Sequence, residues 1–143
     1  MKQLVTLEEM GGKAELARVS KTFYDKIYKH PWIKQYFKTI NQEHIEAQQV
    51  NFMQRALGGK NEYVGKTPPT AHRHMFISED LFALRQTLLK ESFDEVESHP
   101  VLVEKWLKLD ETFKRQIVRQ SPADCTARLS TEGVINFANP RRL

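Results

Sequence analysis

Apolar residues recur at spacings of three and four along nearly the whole chain, and no segment sustains the alternation of β-branched and polar residues that a strand requires. That single property restricts the fold to an all-α architecture. Leu16, Val19, Phe23 and Ile27 predict a helix from about Lys13 to Lys29, opened by Gly11-Gly12 and closed by His30-Pro31. Before it lies a short turn around Leu7 to Met10, and after it a second short turn, "PWIKQYF". Ile45, Gln49, Phe52 and Ala56 predict a second long helix, about Gln42 to Leu57, stopped by Gly58-Gly59 as a C-terminal glycine cap.

Lys60 to Pro69 is polar and carries Gly65 and Pro68-Pro69, so it reads as a loop. A short helical piece should then hold "TAHRHMFIS". Ser78 followed by Glu79 and Asp80 marks a helix start, because the serine oxygen accepts an orphan backbone N–H and the acids favour the positive helix end. The third long helix is expected from Glu79 to about Glu97. Pro100 opens a fourth, about Val101 to Arg119, with Leu102, Trp106, Leu109, Phe113 and Ile117 in register. Beyond Ser121-Pro122 the period decays, and residues 121–143 are expected to form an irregular extension to a domain spanning 1–120.

Composition narrows the function. At 143 residues the chain suits one domain with a real core, and no apolar run approaches the roughly 20 residues of a membrane-spanning helix. Glu8 and Glu9 interrupt any export-signal pattern, so the expected compartment is the cytoplasm. The formal charge of +4 is mild and interleaved with acids, which argues against a nucleic-acid partner. One cysteine, Cys125, rules out an intrachain disulfide and a multi-cysteine metal site. The five histidines, His30, His44, His72, His74 and His99, contain no pair four apart and no His-Glu-x-x-His run, so zinc chemistry is disfavoured. Neither a Gly-x-Ser-x-Gly turn nor a phosphate-cradling glycine loop is present.

Two histidines two residues apart on a helix would point about 200° away from each other. His72 shares its face with Met75 and Phe76, whereas His74 is followed four residues on by Ser78. If one imidazole enters an apolar cavity, periodicity selects His72, and it leaves a packing histidine as the plain alternative.

Several motifs then coincide in order. They are Gly11-Gly12 before the first long helix, Phe23-Tyr24 within it, and Tyr36-Phe37 at the end of the next short one. Gln48-Gln49 and Phe52, then "LGGKNEY" with Tyr63, and finally Ala71-His72 and Phe82 complete the series. In this combination the chain, from about Leu7 to Arg119, resembles the truncated haemoglobins, small globins with a two-over-two helical sandwich around haem, and is closest in pattern to the group I type.

The resemblance implies a haem b cofactor with His72 as the proximal iron ligand, its second ring nitrogen held by a carbonyl or equivalent. Phe37, Tyr63, Met75 and Phe82 are implied haem contacts, with Lys66 and Arg73 as candidate partners of the propionates. On the ligand side it implies Tyr24, Ile45 and Gln49. A phenol O–H and an amide N–H stabilise dioxygen as it draws electron density from ferrous iron. At about 1.5–3 kcal/mol per hydrogen bond to a charged group, two donors slow its loss roughly a hundredfold or more.

His44 is expected to point off the apolar face. The chain departs from the family at Arg85, thirteen positions after His72, where many members carry an apolar or aromatic side chain. Either Arg85 reaches a propionate or solvent, or its helix is rotated to present a leucine, or the cation favours anionic or peroxide chemistry. The implied function is reversible binding of dioxygen, nitric oxide or carbon monoxide, for transport or sensing. Nitric oxide dioxygenation or peroxide chemistry at the same site, with a reductase partner, is the enzymatic alternative. A non-haem all-α interaction module is the third, and a porphyrin-sized cavity between the second and third long helices discriminates against it.

Overall fold

The computed structural model describes residues 5–65, 72–125 and 134–140. Four long helices carry the fold: α1 (Gly12–Ile27), α2 (Gln42–Ala56), α3 (Glu79–Val96) and α4 (Pro100–Ile117). Among the described residues there is no strand, only two isolated parallel bridges, Met75 with Ile135 and Ile77 with Val118. The all-α expectation holds.

The helix limits follow from local chemistry. Gly11, at φ 108°, reverses the chain from the Glu8–Met10 turn into α1, in a left-handed conformation that strains residues bearing a Cβ. Asn41 accepts the amide of His44 at 2.9 Å and starts α2, and Gly58, at φ 86°, turns the chain away just beyond its end. Ser78 accepts the amide of Leu81 at 3.1 Å to open α3, as its sequence context predicts. At α4 the imidazole of His99 accepts the amide of Val101 at 3.1 Å while Pro100 occupies the first turn.

α1 lies at the centre and packs against both α2 and α3, while α3 also contacts α4. Leu16, Val19, Phe23 and Ile27 are all at most 1% exposed, so the predicted stripe of α1 is the core of the molecule. Leu89 and Phe93 from α3 and Leu102 and Trp106 from α4 fill the rest, the Phe93 and Trp106 rings meeting edge to face at 5.3 Å. On α2 the buried residues are Val50, Met53 and Gln54, whereas Ala56, expected on the apolar face, is exposed.

Two segments depart from the sequence expectation. After a turn at Arg73 and His74, residues 75–77 are extended rather than helical: the Phe76 amide donates to Ile135 O at 2.8 Å, Ile135 N to His74 O at 2.9 Å, and Arg119 N to Ile77 O at 3.0 Å. Among the described residues beyond 119 the only regular element is a short 3-10 turn at Pro122–Asp124, and residues 134–140 are docked. Trp32 Nε1 donates to Phe137 O at 2.7 Å, and the Phe137 amide donates to Tyr36 Oη at 3.0 Å. The Phe137 and Tyr36 rings cross at 85° with centroids 5.1 Å apart.

Candidate functional site

A cavity of about 340 Å³ opens between the helices, within the range of small-molecule and cofactor sites. Tyr24 of α1, with Ile45, Gln49 and Phe52 of α2, forms part of its wall. His72, Met75, Phe82 of α3 and Phe113 of α4 contribute others. Aromatic contacts fix the shape: Phe37 meets Tyr24 at 5.9 Å, and Phe52 meets Tyr63 at 5.1 Å and Phe113 at 5.3 Å.

Of the residues singled out from sequence, Tyr24, Phe37, Ile45, Gln49, Tyr63, His72, Met75 and Phe82 share this one cavity. Arg73 is exposed and does not line it. Lys66 lies outside the described residues. His44 is exposed, as its helical phase predicts.

His74 requires a correction. His74 lines the cavity together with His72, against the expectation that the two face opposite ways. The 200° argument presupposes helix, and the chain leaves helix immediately after His72 to become extended by Met75. The cavity wall therefore includes two histidines.

Tyr24 is 7% exposed, and burial pushes its pKa up to about 12, with the nearby Arg85 cation pulling the other way. It stays protonated, and hence a donor, throughout the neutral range. Between about pH 10, where an unfolded tyrosine ionises, and about pH 12, the folded state alone retains this proton, so stability is lost as pH rises. Burial raises Tyr28, Tyr36 and Tyr63 in the same direction. In urea denaturation as a function of pH, wild type is therefore expected to lose stability more steeply than Tyr24→Phe across this window, by up to about 3 kcal/mol. Parallel curves for the two proteins would show that burial of the phenol does not control its ionisation.

Gln49 is oriented from behind. The Ser20 hydroxyl, fully buried in α1, shares its one proton between Glu46 O at 3.0 Å and Gln49 Oε1 at 3.2 Å. With its carbonyl held against α1, the amide leaves its Nε2 hydrogens for the cavity, and no described residue accepts them.

Arg85 is not rotated away from the cavity, and its side chain keeps 21% of its surface exposed. It lines the cavity, its Nη1 donates to Asp110 Oδ1 at 2.6 Å, and its guanidinium lies 5.3 Å from the ring centroids of both Phe23 and Phe82. Asp110 is fully buried, and Gln86 Nε2 approaches its other oxygen at 3.4 Å. Sequence reading missed this partner although a signal was present: Asp110 is four residues after Trp106 and three before Phe113, in phase with the buried stripe of α4.

With this geometry in view, comparison with known proteins gives a consistent result. A family model described as bacterial-like globin matches residues 6–119. The chain belongs to the bacterial-like globin family. A group 1 truncated haemoglobin of Tetrahymena thermophila is 37% identical over 81 residues, 57% of this chain and 67% of that protein. One from Tetrahymena pyriformis is 34% identical over 68 residues, 48% of this chain and 56% of that relative. Among solved structures, a ferric variant of the Tetrahymena pyriformis protein aligns with a TM-score of 0.73 at 24% identity, covering 82% of this chain and all of that one. The group II truncated haemoglobin of Bacillus anthracis aligns at 0.73 and 18% identity, covering 92% and 98%. At these identities the structural matches establish the globin fold.

The family implies haem, and this globin's cavity fits one. It offers imidazole donors for iron, aromatic faces at Phe37, Phe52 and Phe82 for a flat macrocycle, and few polar groups to be stranded by an apolar ring.

Proposed function

We propose that this globin holds haem b through His72 and reversibly binds dioxygen and other diatomic ligands at the opposite coordination position. The observation that carries the reading is the convergence on one apolar cavity of an imidazole, a neutral buried phenol and an amide whose N–H₂ end is turned inward. When bound, haem supplies an iron centre able to take a diatomic gas. Every other contribution comes from the chain. Tyr24 Oη and Gln49 Nε2 donate to the incoming ligand, and Ile45 restricts the space beside it. Phe37, Tyr63, Met75 and Phe82 pack on the macrocycle and exclude water, which strengthens those donors' interactions in a low-dielectric site. Arg73 and Lys66 serve as partners of the propionates at the rim.

We read residues 1–120 as the globin unit and 121–143 as an irregular C-terminal extension. The described helices are too short or too polar to cross a membrane, and we read the protein as cytoplasmic and served by a reductase. A second reading, nitric oxide dioxygenation or peroxide chemistry, uses the same residues and is favoured specifically by Arg85 on the cavity wall. Reconstitution with haem tests the main reading. Ferric, ferrous and ferrous carbon monoxide spectra are each expected to show an intense Soret band from one equivalent of haem. Absence of that band in the wild-type protein overturns it.

A further inference from the structure

The Arg85 and Asp110 pair is unusual for its place. Replacing a buried ion pair with hydrophobic residues of similar size is often neutral or stabilising. Packing alone does not account for a carboxylate with no exposed surface held at 2.6 Å from a guanidinium on the cavity wall.

Geometry gives the pair a direction. Arg85 lines the cavity and Asp110 does not, so the cation stands between the buried carboxylate and the open space. The ion pair thus presents its positive end to whatever enters. The Phe23 and Phe82 rings, each 5.3 Å away, hold the guanidinium plane, and Asp110 engages Nη1. A guanidinium has five N–H donors, and among the described residues only Asp110 accepts from this one. Tyr24 and Gln49 add two further donors on the same wall system, and among the described residues no carboxylate lines the cavity. The polar groups there are donors or imidazoles, apart from the side chain of Gln48.

We infer that, with ferric haem bound, this site takes small monovalent anions of the azide, nitrite or hydroperoxide type in preference to neutral ferric-haem ligands such as imidazole, the preference set by Arg85 with Asp110 fixing its direction. The inference rests on the haem reading above and deepens it by naming a ligand class. A charge-assisted hydrogen bond from Arg85 favours an anion, whereas a neutral ligand gains little from it.

The experiment compares azide with imidazole as ligands of the ferric haem-reconstituted protein, read by the Soret shift. Because Arg85→Met alone strands a buried carboxylate, the informative variant is Arg85→Met with Asp110→Asn, which removes both charges while retaining similar volume. Relative to imidazole, azide is expected to bind tenfold to a hundredfold more weakly to this variant than to wild type. Arg85→Lys, which keeps the cation, is expected to retain most of the preference. An azide-to-imidazole affinity ratio that stays at the wild-type value in the double variant overturns the inference and leaves the haem reading intact. A wild-type protein without a Soret band overturns both.

Discussion

His72→Ala is expected to abolish the Soret band of the reconstituted protein, while His74→Ala keeps it. Loss of a residue that merely steadies a metal ligand weakens metal binding about 10- to 100-fold, so loss of the ligand itself should exceed about a hundredfold in haem affinity. The comparison carries weight because both histidines line the same cavity. Their spacing no longer separates them, since the chain turns at Arg73 and His74 and is extended from Met75. His74 is instead tied through its backbone, its carbonyl accepting the Ile135 amide at 2.9 Å. Haem loss in His74→Ala with retention in His72→Ala would transfer the iron to His74. Unchanged spectra in both variants would remove histidine ligation from the proposal altogether.

Tyr24→Phe and Gln49→Leu are expected to release dioxygen faster than wild type, each by roughly tenfold to a hundredfold, as measured by stopped-flow displacement with carbon monoxide. The phenol is the stronger candidate because burial keeps it protonated and its ring is fixed by Phe23 at 5.0 Å and Phe37 at 5.9 Å. Gln49 depends on Ser20, whose single proton holds the amide carbonyl back. If the two donors act on one bound ligand, the double variant should release it faster than either single variant, with a combined effect below the product of the two. Wild-type release rates in both single variants would show that neither side chain reaches the ligand.

The helices were legible in the sequence because their signals are local. The period of Leu16, Val19, Phe23 and Ile27, the Ser78 cap and the Pro100 start each act within a few residues, and each is found where the sequence places it. The cavity residues from α1 and α2 were legible for the same reason once a family resemblance supplied their roles. What escaped depends on distant chain. His74 faces the cavity because segment 74–77 pairs with residues 118–119 and 135, which no window around "TAHRHMFIS" contains. Asp110 was visible as a carboxylate in phase with an apolar stripe, but its partner, 25 positions away on another helix, was not. Arg85 departs from the family pattern, and of the alternatives the sequence left open the structure sets aside only the rotated helix: the guanidinium lines the cavity, paired with Asp110.

The docking of residues 134–140 also has a consequence for the order in which the protein is made. Synthesis proceeds from the N-terminus, and α1 and α2 can pair as soon as both have emerged. Trp32 cannot meet Phe137 until 105 further residues have been added, and the chain around His74 and Phe76 cannot pair with Ile135 until about sixty more have followed it. Such long-range closures are slow steps, because the entropy of a large loop is lost before the contact rewards it. The wall bearing the two histidines is therefore the last part of the cavity to be completed during biosynthesis, and a chain stopped near residue 119 would carry every predicted site residue without the strap that holds their backbone.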